Sequence, residues 1–559
     1  NPAALDAKIQ ILQDNKDAWV MLSIESKIEL ARRLLDRTAA VAERQVAASV
    51  QAKHIPEDSP LVGEEWLGGP LVQARNIRLL IESLEDIKRY GKPQLKSGAV
   101  STRHDGQVVA RVFPGSTWDA LLYKGFHAEV WMEPGVTPEN LAGTMAVFYA
   151  EENPVGKVAL VLGAGNVASI GPLDVVYKLF VEGQVCVLKM NPVNDYLGPF
   201  IEEVFADFLE LGYFQMAYGG VDVGSYLTSH PDIDEIHITG SDRTHDAIVY
   251  GVGEEGKRRK AKDERLNDKR ITSELGNVSP IIVVPGPWSD KDMEFQSENI
   301  ATQLTNNAGF NCNAARVLIT QDSWELRTKF LDTVRNTLRA VTPRVAYYPG
   351  AEERHESFVS AHSQAETYGE LVPNVLPWGF IPDVDYRDED NICFKQESFC
   401  GVMCETPLPG RDLVTYLKNA VDFCNDHVWG TLSASLLIHP ETMRLYPEVI
   451  DAAVAGLRYG SVVVNHWPAL SYGLGQTTWG AYPGHTFDDI QSGVGVVHNT
   501  YLFDRPQKSV IYGPFRVFPR PPWFVTNHNT HNIAPKLVEF ERAPSMGRLA
   551  TLLPSVLKG

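Results

Sequence analysis

Along residues 6–53 the apolar positions Ile9, Ile11, Leu12, Trp19, Leu22, Ile28, Leu30, Leu34 and Leu35 recur at intervals near three and four, with charged residues between them. That period places one apolar stripe on a helix. The interruption over residues 21–25 divides the stripe into two helices, with Ser23 or Ser26 available to cap the second. Residues 63–91 predict another long helix after a turn punctuated by glycine and proline. Between residues 99 and 155 the period shifts towards two in QVVARVFP and ENLAGTMAVFYAEE, which predicts strands joined by aromatic loops.

From residue 155 the pattern alternates between buried strands and amphipathic helices. VGKVALVLGAG is a nearly continuous apolar strand ending in glycines, LDVVYKLFVEG a helix, QVCVLKMNP a strand stopped by proline, and PFIEEVFADFLELG the next helix. FQMAYGG and DEIHITGSD repeat the unit, so the segment predicts a parallel sheet covered by helices. Such a sheet binds ligands at the carboxyl ends of its strands, where Gly165, Asn166, Lys189, Gly220, Gly224, Thr239, Gly240 and Ser241 fall. GAGN lacks the GxGxxG spacing of a dinucleotide fingerprint. Lys189 follows a buried strand, where its charge needs a ribose or phosphate partner or an exit to solvent. A second αβ alternation runs from about residue 280 to 437, and the Pro- and aromatic-rich residues 517–532 are expected to wrap another surface.

Composition sets limits on this picture. A chain of 559 residues with 44% apolar content supplies cores for two or three domains. A formal charge of -19 argues against general nucleic-acid binding, and the one dense basic stretch, GKRRKAKDER, has acids close by and reads as a solvated face. Six cysteines without framework spacing favour a reducing compartment, and a cytoplasmic location is expected. Cys400 and Cys404 near His427 read as strand and core, so no metal site is expected. With no apolar run of about eighteen residues and no signal-like start, stable membrane insertion is not expected either.

The candidate chemistry centres on NNAGFNCNAARVLIT, where Cys312 is the one side chain able to form a covalent intermediate. Glu274 is a general-base candidate if the fold returns it to the thiol, and Asn166 could donate to an oxyanion. A Cys-His hydrolase would instead need an imidazole, for which His466 is the candidate, and an inert buried cysteine is the plain alternative.

Several separated motifs resemble the aldehyde dehydrogenase superfamily. PVGKVALVLGAGN resembles the strand leading to the family's oxyanion asparagine, QVCVLKMNP the strand ending in its ribose-binding lysine, and IHITGSD the FTGS loop. SELGNVSPIIV resembles ELGGKSP, NNAGFNCNAAR resembles NxGQxCxAxxR, and FKQESFCGV resembles EIFGPV. The resemblance implies an α/β fold with a Rossmann-type cofactor domain, an α/β catalytic domain and a small bridging or oligomerisation sheet. It divides the chain into residues 1–141 and 155–280 for NAD(P) binding, 281–484 for catalysis, and 142–154 with 495–559 for bridging strands and an extended C-terminal segment. Cys312 then corresponds to the nucleophile, Glu274 to the base for deacylation, and Asn166 with the Cys312 amide to the oxyanion hole. Lys189 and Glu397 correspond to ribose ligands and Phe399 to the nicotinamide side, while Gly220, Gly224, Gly240 and Ser241 lie along the remaining cofactor crevice. The implied reaction is oxidation of an aldehyde to an acid through a cysteine thioester. A CoA-acylating relative and a catalytically idle protein of the same fold are the alternatives.

The departures from the pattern are Phe310 in place of Gln, Val278 in place of Lys and Gly401 in place of Pro. No acid stands near Pro192 to disfavour a 2'-phosphate, so the cofactor is expected to be NAD or NADP. Phe310, Trp467, Tyr472 and Trp479 predict a pocket for an apolar or aromatic aldehyde. Bridging strands imply a homodimer or a tetramer.

Overall fold

The apolar stripe at the start of the chain forms two helices, Pro2–Met21 and Ile24–Ala52. Ser23 caps the second, its hydroxyl accepting from the Ser26 amide at 3.2 Å. Trp19 anchors the first helix, donating to Leu179 O at 3.0 Å and meeting Phe180 edge-on. The computed structural model describes residues 2–559.

Two large sheets organise those residues, beside a two-stranded pair of Trp479–Gly480 and Val496–Val497. A six-stranded sheet runs in the spatial order Gly493–Val494, Arg270–Leu275, Glu235–Gly240, Val158–Leu162, Val185–Lys189 and Phe214–Ala217. It is parallel except for Gly493–Val494. Its apolar strands are buried on both faces by flanking helices, which explains their continuous rather than alternating pattern. The second sheet has eleven strands, in the order Val100–Thr102, Val108–Phe113, His127–Met132, Pro506–Tyr512, Ser461–Val464, Ser433–Leu437, Ser279–Val283, Ala315–Gln321, Val402–Leu408, Trp378–Ile381 and Glu366–Tyr368. The chain passes from one sheet to the other across Gly276, Asn277 and Val278.

Three expectations are corrected. ENLAGTMAVFYAEE forms two 3-10 turns, Leu141–Thr144 and Val147–Ala150, because Ala146 adopts φ 53° and its amide is taken by Leu502 O at 2.8 Å. At that end of the molecule Val100–Thr102, Val108–Phe113, His127–Met132 and Pro506–Tyr512, the last within the predicted 495–559, continue the large sheet rather than forming a small separate one. Part of residues 1–141, assigned from sequence to the cofactor domain, therefore lies in the large sheet. The helix over residues 63–91 is broken by a π turn, Leu67–Leu71, which contains Pro70. Proline there removes a ladder donor.

Residues 517–532 wrap helix Asp290–Thr305. Arg520 and Thr526 bond Glu298, and the Val525 amide donates to Thr302 Oγ1 at 2.9 Å. Helix Thr530–Arg542 then packs on Val62–Trp66 and Val72–Tyr90. No helix among the described residues is long and apolar enough to cross a membrane.

Candidate active site

Helix Asp290–Thr305 delivers the chain to a tight loop in which Asn307, Ala308 and Gly309 take φ of 52°, 56° and 85°. Two non-glycine residues in the left-handed region cost on the order of 1 kcal/mol or more each, so contacts must hold them. Asn307 Nδ2 donates to Asn166 O at 2.9 Å, and Arg316 donates to Gly309 O at 2.8 Å and to Cys400 O. A Cβ on Gly309 would lie 2.7 Å from the Cys400 backbone, so this position needs glycine for space as well as for φ. The loop leaves Cys312 half-buried, whereas the other five cysteines are buried. Cys312 packs against a cluster of Leu432, Trp479 and Val497, on which Tyr177 and Tyr472 also pack.

Glu274 ends the strand Arg270–Leu275 beside this loop and is 3% exposed, with Oε1 lacking a partner. Burial pushes its carboxyl up to about 8, Asp174 adds to the rise, and the Cys312 thiol and Trp479 indole oppose it. The Cys312 thiol is itself raised well above its ordinary value, first by burial and then by the Glu274 and Glu397 carboxylates. Asn166 follows the strand Val158–Leu162, and its Nδ2 donates to Phe310 O at 2.9 Å. A carboxamide nitrogen carries two hydrogens, so one remains for another acceptor at the thiol loop.

One cavity of ≈ 1320 Å³ is lined by all ten residues to which the family resemblance gives a catalytic or cofactor-binding role, including Cys312, Glu274 and Asn166. Lys189 closes the strand Val185–Lys189 with no ion-pair or hydrogen-bond partner for its ammonium among the described residues, and burial lowers its pKa. Gly220 and Gly224 have no atom within 4 Å of a built Cβ, and they sit at the start of helix Val221–Ser229, whose amides favour an anion. Gly240 ends its strand, and Ser241 caps the helix Asp242–Tyr250. Glu397 presses on Gly276, where a Cβ would lie 2.0 Å from Oε2, while its buried Oε1 has no partner. Its carboxyl is pushed up to about 7 by burial, with Arg316 opposing. Phe399, at φ 40°, packs on Phe310 and Tyr348. The lone ammonium, orphaned carboxylate oxygen and open glycine-lined helix start are the groups that hydroxyls and phosphates of a dinucleotide would satisfy, so the residues present fit NAD or NADP.

Other sequence candidates lie elsewhere. His466 bonds Pro514 O at 2.8 Å and packs against Phe126, and its pKa is lowered to about 4 by burial. Phe310 turns towards Tyr347, Tyr348 and Phe399, away from the apolar cluster at the thiol, and the Trp467 indole braces the thiol loop through Asn313 O at 2.9 Å. Tyr472 and Trp479 are the two predicted aromatics that pack beside Cys312. Lys53, Asn307, Tyr347 and Asp174 were not singled out from sequence. The only local hint was the density of asparagines before Cys312.

A half-buried thiol and a buried carboxylate line one crevice together with the strand ends of an α/β sheet of nucleotide-binding type. Residues 125–361 match the sequence model of the aldehyde dehydrogenase family, and over that span the chain resembles its members. The match includes Asn166, Lys189, Glu274 and Cys312 and ends before Glu397. 4-Trimethylaminobutyraldehyde dehydrogenase A of Danio rerio is 24% identical over 265 residues, 43% of this chain and 48% of that protein. Betaine aldehyde dehydrogenase of Agrobacterium fabrum is 24% identical over 422 residues, 71% of this chain and 77% of that protein. The chain thus spans about half the length of the first relative and about three quarters of the second. Among solved structures, NADP-dependent glyceraldehyde-3-phosphate dehydrogenase of Bacillus halodurans, complexed with NADP, has a TM-score of 0.61 at 17% identity, covering 91% of each chain. Aldehyde dehydrogenase C of Pseudomonas syringae, complexed with NAD+ and octanal, has a TM-score of 0.60 at 16% identity, covering 93% of this chain and 90% of that one.

Proposed function

We propose that this protein oxidises an aldehyde to a carboxylic acid with NAD+ or NADP+, through a thioester on Cys312. The observation that carries the reading is the placement of Cys312, Glu274 and Asn166 on one cavity with the partnerless Lys189 and Glu397 groups. In this reading residues 155–280 hold the cofactor, residues 281–484 carry the chemistry, and Lys189 and Glu397 take ribose hydroxyls. When bound, NAD(P)+ supplies the hydride acceptor.

The chain's own groups account for the remaining steps. Cys312 sulfur bonds to the aldehyde carbon as the thiol proton passes to solvent, and Glu274 is kept for the later step. Asn166 Nδ2 and the Cys312 amide stabilise the oxyanion. After hydride loss, Glu274 takes a proton from water as the water attacks the thioester, the acyl carbon–sulfur bond breaks, the acid leaves, and Glu274 passes that proton to the Cys312 sulfur. Tyr177, Tyr472 and Trp479 beside the thiol support an aldehyde with an apolar or aromatic tail.

The test is reduction of NAD+ and NADP+ by the purified protein over a panel of aldehydes, with and without CoA. Acid formation without CoA is expected. No reduced cofactor with any aldehyde sinks the proposal, and turnover only with CoA replaces hydrolysis by acyl transfer.

A further inference from the structure

Lys53 is the C-cap of the helix Ile24–Ala52 and is 7% exposed, so its ammonium is buried. Its Nζ is 2.8 Å from Glu65 Oε1, 3.0 Å from Asn307 Oδ1 and 3.2 Å from Asn166 O. Those three acceptors match the three hydrogens of an ammonium, so the buried charge is paired and saturated. The Tyr347 hydroxyl lies 2.8 Å from the same Asn307 Oδ1 and 3.1 Å from the same Asn166 O, with its ring 5.0 Å from Lys53 Nζ. Asn307 Nδ2 donates in turn to Asn166 O at 2.9 Å and to Phe310 O at 3.2 Å. Asn166 Nδ2 closes the ring on Phe310 O. Behind it, the Asn307 amide donates to Glu64 Oε2 at 3.0 Å, and Arg344 holds that carboxylate at 2.7 Å.

Resting on the reading of Asn166 and Cys312 above, we propose that Lys53 is a positioning residue for the oxyanion hole, fixing the Asn166 strand end against the left-handed loop that carries Cys312. The two donors of the hole come from separate parts of the chain, and Lys53 is the cation that bonds both sides. Oxyanion stabilisation depends on donors held in place before the charge develops, so a small relaxation at this junction weakens attack on a carbonyl. The nucleophilicity of the sulfur itself does not depend on that alignment.

The test separates these two properties in the full-length protein. Lys53→Met and Tyr347→Phe are compared with wild type in three rates: NAD(P)+-dependent oxidation of an aldehyde that wild type turns over, hydrolysis of p-nitrophenyl acetate, and alkylation of Cys312 by iodoacetamide. Attack on aldehyde or ester builds an oxyanion. Alkylation forms a sulfur–carbon bond as iodide leaves and builds none. The expected result for Lys53→Met is a loss of about tenfold or more in the first two rates. Alkylation stays within about twofold, as nothing in that displacement calls on the hole. Tyr347→Phe, which leaves no charge unpaired, should shift the same ratio in the same direction by less, and it keeps the test decisive if Lys53→Met does not fold. Parallel loss of all three rates, or no loss in any, overturns the proposal. Wild type that oxidises no aldehyde instead defeats the functional reading, while the ester-to-alkylation ratio still decides the role of Lys53.

Discussion

At the scale of single residues, the charge balance around Cys312 gives a pH dependence with a definite sign. Glu274 faces Asp174, Cys312, Glu397 and the Trp479 indole, and its carboxyl sits at about 8. A base must be ionised to take a proton, so hydrolysis of the acyl-enzyme should rise with pH through that value and be slow at pH 6. Asp174 holds its place through Thr239 Oγ1 at 2.9 Å, and Thr239 is paired in register with Glu274. Replacing Asp174 by Asn removes a negative neighbour, and the acidic limb of the pH profile should move to lower pH. Glu274→Gln should cut turnover by about 10² to 10⁴ while leaving a burst of reduced cofactor from the first acylation. Pre-steady-state kinetics reads both; a Glu274→Gln variant without a burst, or a limb that Asp174→Asn leaves in place, contradicts these roles.

At the scale of elements, legibility followed how local the determining forces are. The strands Val158–Leu162 and Val185–Lys189 are buried on both faces, so their uninterrupted apolar runs announce them. Residues 141–150 carry a comparable alternation but form 3-10 turns, because the Met145–Phe503 bridge and the Leu502 carbonyl fix the backbone. Cys312, Glu274 and Lys189, which line one cavity, could be picked out because each sits in a motif of its own. Lys53 and Tyr347 were not, since their partner Asn166 lies 113 and 181 residues away. The helix Thr530–Arg542 was equally hidden: Glu541 meets Arg75 at 2.8 Å and Arg78 at 2.5 Å, and its side chain is 4% exposed. Removing one member of a buried ionic cluster costs about 3 kcal/mol or more. Glu541→Ala should therefore lower the denaturation midpoint clearly, while Glu539→Ala, 49% exposed on the same helix, should change stability by about 0.5 kcal/mol or less. Equal midpoints for the two variants would mean that the helix does not depend on this cluster.

At the scale of the whole molecule, the eleven-stranded sheet ends in a strand, Val100–Thr102, whose outer edge meets no other strand. The Ala99 carbonyl and Arg103 amide bond Arg111 and Gln107 inward, so antiparallel alternation turns the Val100 and Thr102 amides outward. Ser101 and Thr102 are exposed, and neither charge nor proline protects the strand itself. An unprotected edge is a template for pairing, which supports the proposal that two or more copies assemble through it. A formal charge of -19 opposes that contact by mutual repulsion, which salt screens over about 10 Å at 0.1 M. Light scattering at micromolar concentration should accordingly report a dimer or larger species at moderate salt, with the monomer fraction growing as salt is removed. Thr102→Pro deletes one outward amide while leaving the inward ladder intact, and should favour the monomer without a matching loss of folded structure by circular dichroism. A wild-type monomer at moderate salt, or a Thr102→Pro variant that assembles unchanged, would place the subunit contact, if there is one, on a different surface.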